Sequence, residues 1–202
     1  MKIYGHSQST CTRKVLTTAI ETQTPYELIT VEFATGEHKQ AEHLARQPFG
    51  QVPTIDDDGF KLYESRAIAR YIADKQRSPL LGQNPKERAL IEQWISIETS
   101  NFSAHVMKFI FHYAWKRTQT AEVLDNATKQ LDTALKVMDA RLAEAPYLGG
   151  NVFSLADICF MPYIEYAAAT PIKDTIFAHK GVAAWWTRVS ERPSWHKVAG
   201  RV

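Results

Sequence analysis

Short apolar runs alternate with helical spacing over the first 75 residues of the chain. The predicted elements are, in order, a strand at 2–4, a helix after the polar residues 9–12, strands at 26–33, 52–55 and 60–63, and a helix headed by Ser65. Asp58-Gly59, between the last two apolar runs, is typical of a tight β-hairpin. The pattern therefore predicts a βαβ unit followed by a ββα unit, with the first two strands parallel and the hairpin antiparallel.

Strand patterns disappear in the second part of the chain. Apolar residues keep three- and four-residue spacing over 90–115 and again over 124–142, as they do in amphipathic helices. Ser154 and Asp157 form a helix-capping box ahead of an almost wholly apolar helix, and a last helix is predicted at 182–190. This half of the chain is therefore predicted to be all-helical.

A change of composition separates the two halves. Residues 77–85 contain Pro and Gly and predict a linker. The predicted organisation is a small α/β domain with a mixed sheet at 1–76, the linker, and an all-helical domain at 86–202.

Composition narrows the class of protein. Of the 202 residues, 45% are hydrophobic and 23% are charged, as in ordinary globular proteins. A formal net charge of +2 without a basic run argues against a nucleic-acid partner, and no segment approaches the roughly 20 apolar residues of a membrane span. Two cysteines and seven scattered histidines predict neither a disulfide framework nor a metal site. We expect a cytoplasmic protein.

Ser9 lies where the first predicted helix begins. A hydroxyl at a helix N-terminus donates a hydrogen bond to a thiolate, and the helix adds positive potential. A thiol with an ordinary pKa of roughly 8.5 then ionises more readily near neutral pH. Spacing alone favours the simpler interpretation, in which Ser7, Ser9, Thr10 and Thr12 are helix caps and turn residues.

Cys11 is a second candidate for thiol chemistry. A cysteine in the first turn of a helix gains thiolate character and can attack a disulfide. Cys11 has neither a C-x-x-C partner nor the proline of a C-P-x-C motif. A bystander thiol is therefore the favoured interpretation.

Two segments favour a site for an extended peptide with a carboxylate. Val52-Pro53 stands at a strand start, where a cis peptide bond would turn the Val52 N–H and C=O toward an incoming peptide. Ser65 and nearby backbone N–H groups would bind a carboxylate, Glu64 would pair with an ammonium, and Arg66 would support Glu64. A trans proline, a helix cap and a solvated arginine explain the same residues without a ligand. With the serine-rich loop, these segments predict a site for a small acidic thiol peptide.

Two further groups of residues could contact ligands. His38 and Lys39 would bind a second carboxylate, although a solvated charged turn explains them equally well. Phe109, His112 and Trp115 would line an apolar pocket, although aromatic residues at helical spacing are more often part of a core.

The chain resembles the cytosolic glutathione transferases, most closely the phi class common in plants. The resemblance rests on motifs spread over nearly the whole chain: Tyr4-Gly5 with Ser9-Thr10-Cys11-Thr12-Arg13-Lys14-Val15, Gly36-Glu37-His38-Lys39, Pro48-Phe49-Gly50-Gln51-Val52-Pro53, Tyr63-Glu64-Ser65-Arg66-Ala67-Ile68, Tyr147-Leu148-Gly149-Gly150, Ser154-Leu155-Ala156-Asp157 and Ala184-Trp185-Trp186. No single motif is decisive, but this many in the same order make chance agreement improbable.

The resemblance implies a thioredoxin-like N-terminal domain, an all-helical C-terminal domain, a homodimer and a role in detoxification. Glutathione is then a co-substrate, with no other cofactor, and Ser9 stabilises its thiolate. The implied contacts are the glycyl carboxylate with His38 and Lys39, the cysteinyl backbone with Val52 before a cis Pro53, and the γ-glutamyl end with Glu64 and Ser65, with Gln51 and Arg66 nearby.

Three hypotheses follow. The leading one is an enzyme that ionises the glutathione thiol through Ser9, conjugates it to apolar electrophiles and also reduces organic hydroperoxides. The second is a glutathione-dependent thiol oxidoreductase working through Cys11. The third is a non-catalytic carrier of apolar ligands. The sequence does not name the electrophile.

Overall fold

The structure is a computed structural model that describes residues 1–201. It consists of two compact units: unit 1 comprises Met1–Pro79 with residues 193–201, and unit 2 comprises Leu80–Arg192. The elements along the chain are β1 (Lys2–Gly5), α1 (Thr10–Glu21), β2 (Glu27–Thr30), α2 (Ala41–Leu44), β3 (Thr54–Asp57), β4 (Phe60–Tyr63), α3 (Ser65–Lys75), α4 (Pro85–Ile97), α5 (Ala104–Phe109), α6 (Ala121–Glu144), α7 (Leu155–Ala167), α8 (Lys173–Ala178), α9 (Lys180–Ser190) and α10 (Pro193–Ala199). Short 3₁₀ turns cover Glu37–Lys39 and Pro79–Leu81.

Unit 1 contains a four-stranded mixed sheet in the order β2-β1-β3-β4. β1 and β2 are parallel, and β3 is antiparallel to both β1 and β4. Ile3 and Ile55, on the two central strands, are buried, and so are Val15 of α1 and Ile68 of α3. The predicted thioredoxin-like fold, βαβ followed by ββα, is confirmed.

The hairpin between β3 and β4 closes through the two residues that the sequence indicated. Asp58 and Gly59 have φ values of 56° and 94°, the left-handed backbone that a two-residue turn requires. Asp56 Oδ1 accepts a hydrogen bond from the Gly59 N–H at 2.8 Å. The second strand is shorter than the predicted 26–33, because β2 pairs only with the four residues of β1.

The last helix of the described chain belongs to unit 1, whereas the predicted helical domain extended from 86 to 202. α10 packs on α1, with Trp195 fully buried and the Ser194 hydroxyl donating to the Glu21 carboxylate. Neither α10 nor α2 was predicted from the sequence pattern, in which the last predicted helix ends at 190. Val202 lies outside the described residues.

Unit 2 is all-helical within the described residues. The predicted long helix around 90–115 is a continuous helical run in which two π-helical stretches, Glu98–Ser103 and Ile110–Ala114, follow α4 and α5. α6 has 24 residues, and the apolar α7 is buried at every position from Leu155 to Ile164. The capping box of Ser154 and Asp157 is present at the start of α7, as predicted. α8 was not predicted from the sequence pattern.

Across the part of the chain that the structure describes, no helix combines the length and the apolar character needed to cross a membrane.

Candidate active site

All the segments predicted to contact glutathione lie at one end of the sheet of unit 1. Gly5 lies opposite Thr30, Tyr4 opposite Thr54, and Thr54 opposite Tyr63. β1, β2 and β4 therefore end where β3 begins. The segments 6–9, 31–39, 51–53 and 64–66 all leave or enter the sheet at this end.

Ser9 is the N-cap residue of α1 and is only 9% exposed. Its Oγ accepts a long hydrogen bond from the Thr12 N–H at 3.3 Å, and its own N–H donates to the His6 carbonyl at 2.9 Å. A hydroxyl that accepts a capping bond still has a proton to donate. Among the residues that the structure describes, nothing accepts that proton. Ser9 is therefore a cap, as the simpler interpretation predicted, and its proton is left for a ligand.

The residues around Ser9 hold the loop in place. Arg13 Nε donates to the Ser7 carbonyl at 2.9 Å, which ties α1 back to the loop. Thr12 is fully buried against Gly5, where an added Cβ would lie 2.7 Å from the Thr12 Oγ1. Thr12 therefore faces the sheet rather than a ligand. Cys11 is a free thiol, partly exposed, at the second residue of α1.

The loop before β3 contains the predicted cis peptide bond, Val52-Pro53. Both main-chain groups of Gln51 are occupied by side chains: the N–H donates to Gln47 Oε1 at 3.1 Å, and the carbonyl lies 2.7 Å from His43 Nε2. Gln51 itself is exposed, Val52 is half-buried and Pro53 is buried. Gln51, Val52 and Pro53 were predicted from the sequence, whereas His43 and Gln47, which bind the Gln51 main chain, were not.

Lys39 contacts the same loop. Its Nζ donates to the Phe49 carbonyl at 2.9 Å, and its side chain passes over Gly50. Gly50 has a φ of 60°, and a Cβ there would lie 2.7 Å from Lys39 Cδ and 2.8 Å from the His38 carbonyl oxygen. Only glycine satisfies both the left-handed backbone and the close approach.

His38 is half-buried beside Phe33, which is 42% exposed. The two ring centroids are 5.2 Å apart in an edge-on arrangement, and the His6 ring stacks on Phe33 at 5.1 Å. His38 thus lies in a row of three aromatic rings at the end of the sheet that carries Ser9.

Glu64 and Ser65 stand at the start of α3. Ser65 is the first helical residue and is 4% exposed, while Glu64 occupies the N-cap position. Glu64 has φ 73° and ψ 106°, a sparsely populated backbone conformation for a residue with a side chain. Such strain is concentrated at functional sites. Glu64 is exposed, and Arg66 is half-buried on the same helix.

The three aromatic residues predicted to line an electrophile pocket all lie in unit 2. Phe109 is 5% exposed and forms part of the helical core. The Nδ1 of His112 accepts a hydrogen bond from the Gln119 N–H at 3.0 Å. Trp115 is half-buried against Phe111, and its ring centroid is 5.9 Å from that of Tyr166.

Sequence patterns gave no indication of the roles of His43, Gln47 and Arg13. Each of these side chains binds a main-chain carbonyl or N–H group, and such a contact leaves no motif in the sequence. No group of His, Cys, Asp and Glu side chains suited to a metal ion occurs among residues 1–201.

Two family models match the chain. The glutathione S-transferase N-terminal domain matches residues 1–74, and the glutathione S-transferase C-terminal domain matches residues 102–193. The chain belongs to the glutathione S-transferase family. It is an enzyme of the transferase class with glutathione as its co-substrate.

Individual relatives refine this assignment to the phi class. Glutathione S-transferase 1 of Zea mays is 37% identical over 98% of this chain and 95% of its own length, and glutathione S-transferase F12 of Arabidopsis thaliana is 35% identical over 98% and 96%. Glutathione transferase F7 from Populus trichocarpa superimposes with a TM-score of 0.93 at 34% identity, covering 98% of this chain and 97% of its own. Glutathione S-transferase I from maize, solved with an atrazine glutathione conjugate, gives a TM-score of 0.90 at 37% identity over 98% and 96%.

Proposed function

We propose that this glutathione S-transferase activates glutathione through Ser9. The observation that carries the proposal is the Ser9 hydroxyl proton, which has no acceptor among the described residues and lies at the N-terminus of a 12-residue helix. That proton donates to the glutathione sulfur, and the helix N-terminus adds positive potential. Both favour the thiolate over the thiol, so no general base is needed.

The thiolate then attacks the electrophile. Its lone pair forms the new carbon–sulfur bond, and the leaving group departs with the bonding electrons, or the electron pair moves into an activated double bond. With a hydroperoxide, the sulfur attacks the terminal oxygen, the O–O bond breaks and an alcohol leaves. The resulting sulfenic acid condenses with a second glutathione to give a disulfide and water. Catalysis comes from positioning and electrostatic stabilisation.

The remaining residues at this end of the sheet bind the peptide. We infer that His38 and Lys39 attract the glycyl carboxylate and that the Val52 main chain, before Pro53, pairs with the cysteinyl backbone. Ser65 and Glu64 then hold the γ-glutamyl end, with Gln51 and Arg66 alongside. The positive φ of Glu64 supports this assignment, because a strained backbone at an exposed helix start has no evident folding role.

The electrophile is proposed to contact the exposed edges of His112 and Trp115 in unit 2. Phe109 would contribute mainly packing beneath them, since almost none of its surface is exposed. An apolar electrophile suits these rings.

A homodimer is the proposed assembly, and the protein is proposed to act in the cytoplasm. Unit 1 exposes aromatic side chains at one face: Phe49 is 64% exposed, and its centroid is 6.3 Å from that of Tyr63, itself 37% exposed. An exposed pair of this size favours a protein contact. Sedimentation of the wild type against Phe49→Ser tests the dimer: we expect the variant to shift toward the monomer, and an unchanged mass would exclude Phe49 from the contact.

The test of the chemistry compares wild type, Ser9→Ala and Cys11→Ser with glutathione and a chloronitroaromatic acceptor. Losing a hydrogen bond to a charged group costs about 1.5–3 kcal/mol. We therefore expect Ser9→Ala to lose about tenfold to a hundredfold in turnover and to raise the pKa of bound glutathione by about 1–2 units. Thiolate absorbance in the ultraviolet measures that pKa, and glutathione affinity should change little.

Each alternative has its own outcome in this comparison. Cys11→Ser should retain the turnover of the wild type. Loss in Cys11→Ser alone, with a glutathione adduct at Cys11 in the wild type, would favour the oxidoreductase. No turnover in any of the three, with apolar ligands still bound, would favour the carrier. Turnover with an organic hydroperoxide tests the peroxidase activity separately.

A further inference from the structure

The peptide unit that joins Gln51 to Val52 is held by a buried side chain outside the proposed contact set. His43 lies on α2, is 2% exposed, and has its Nε2 2.7 Å from the Gln51 carbonyl oxygen. A carbonyl oxygen only accepts hydrogen bonds, so the Nε2 of His43 carries the hydrogen.

The other ring nitrogen of His43 shows that this bond is its main polar interaction. Nδ1 is buried without a hydrogen-bond partner in the described part of the chain. Burying an imidazole with one nitrogen unsatisfied costs free energy that an apolar side chain at this position would avoid. The contact with Gln51 is therefore the one feature that distinguishes histidine here from a residue of similar size.

The geometry of the peptide bond extends this contact to Val52. The Gln51 carbonyl and the Val52 N–H belong to the same planar trans peptide unit, and in a trans unit they point in opposite directions. Because His43 holds the Gln51 carbonyl toward α2, the Val52 N–H points away from α2. That N–H is the donor that the proposed function assigns to the glutathione backbone.

We propose that His43 is a positioning residue that orients the Val52 N–H toward the cysteinyl carbonyl of glutathione. This inference rests on the proposed function. The rest of the loop is anchored independently, by Gln47 on the Gln51 N–H and by Lys39 on the Phe49 carbonyl. Removing the His43 bond therefore frees one peptide unit rather than the whole loop.

The test deletes the donor and then restores it. His43→Phe keeps a ring of similar size but has no hydrogen to donate, and His43→Leu makes the same deletion if the phenyl ring is not accommodated. His43→Gln places an amide N–H close to the former position of Nε2. Steady-state kinetics in glutathione and calorimetric titration with glutathione are measured for each variant.

We expect the donor-deleting variants to raise the KM and the dissociation constant for glutathione about three- to tenfold. kcat at saturating glutathione should stay within about twofold, because Ser9 lies on another segment. His43→Gln should recover most of the affinity. Glu42→Gln is the matched control on the same helix, because Glu42 is exposed and its ion-pair partner within residues 1–201 is Arg46.

Three outcomes would overturn the inference. Unchanged glutathione affinity in both deletions would mean that the Val52 N–H needs no support from His43. A parallel fall in kcat, affinity and melting temperature, without recovery in His43→Gln, would indicate a purely structural role. Failure of the wild type itself to bind glutathione would overturn the proposed function and this inference together, whereas the first two outcomes leave the proposed function intact.

Discussion

Asp157 accepts hydrogen bonds from three segments around the start of α7. Its replacement tests how much these bonds contribute to the free energy of unfolding. The carboxylate is fully buried and accepts four hydrogen bonds. Oδ1 accepts from the Leu148 N–H at 3.0 Å and from Trp185 Nε1 at 2.8 Å, and Oδ2 accepts from the N–H and the hydroxyl of Ser154 at 2.9 and 3.1 Å.

The loss in the free energy of unfolding can be worked out from the hydrogen-bond donors that lose their acceptor. Asp157→Ala leaves three buried N–H groups without an acceptor, each costing about 1–3 kcal/mol, while the Ser154 hydroxyl can rotate. Burial raises the pKa of the Asp157 carboxyl, because the cost of desolvating its charge outweighs the help of its donors. Removing the charge offsets part of the loss, so we expect a net destabilisation of about 3–5 kcal/mol.

Asp157→Asn should lie between the wild type and Asp157→Ala. Its amide oxygen can keep the Leu148 and Trp185 bonds, whereas its NH₂ group faces the Ser154 N–H. We expect roughly half the loss of the alanine variant.

Urea unfolding at one fixed protein concentration, followed by tryptophan fluorescence and far-ultraviolet circular dichroism, measures these differences. Trp185, which donates to Asp157, is one of five tryptophans that contribute to the emission, so the fluorescence follows unfolding as a whole. For a chain of this size, the alanine variant should lose about 6–20 °C in Tm. Asp125→Ala, at an exposed position of α6, is the control and should change stability by less than about 0.5 kcal/mol. Equal stability of Asp157→Ala and the wild type, or an asparagine variant less stable than the alanine variant, would show that the hydrogen bonds to Asp157 do not set the stability of unit 2.

Two further predictions concern unit 1. Gly50→Ala and Gly36→Ala both place a side chain at a φ of 60–71°, which costs about 1–2 kcal/mol, but only Gly50 meets neighbouring atoms, including those of Lys39. Gly50→Ala should therefore be clearly less stable than Gly36→Ala, and calorimetry should show that it binds glutathione more weakly. Equal effects of the two substitutions would mean that the close contacts at Gly50 add no cost. Asp57 accepts a hydrogen bond from Lys75 at 2.5 Å, which with a second bond from Tyr71 lowers the pKa of its carboxyl. A lowered pKa in the folded state gives stability that is present above the unfolded value of 3.8 and is lost as the pH falls through the folded value. The Tm advantage of wild type over Asp57→Asn should thus shrink below about pH 4, and an advantage that grows on acidification would contradict it.

The elements that could be predicted from sequence are those set by local chemistry. Asp58-Gly59 specified the hairpin because few residues tolerate two successive positive φ angles. Ser154 and Asp157 specified the start of α7 because the capping bonds join residues three apart. Ser9 was found in the same way, as the residue before a helix.

Features set by distant contacts could not be predicted. Nothing in the sequence around Glu64 indicates its positive φ, which the structure places between β4 and α3. The contact of His43 with Gln51 joins a side chain to a main-chain carbonyl eight residues away, and side chains of many kinds could make it. The site predicted from the sequence therefore contains the residues proposed to face glutathione and omits His43 and Gln47, which bind the Gln51 main chain.

The placement of α10 on α1 has a consequence for biosynthesis. The first 79 residues contain the whole sheet and every segment proposed to bind glutathione, yet the helix that covers part of α1 is made only after all of unit 2. Roughly 110 residues separate the two parts, so at about 5–20 residues per second the ribosome needs on the order of ten seconds to supply the missing helix. During that interval the nascent sheet domain exposes the surface that Trp195 later buries, and it is then that we expect chaperone binding or premature aggregation of unit 1.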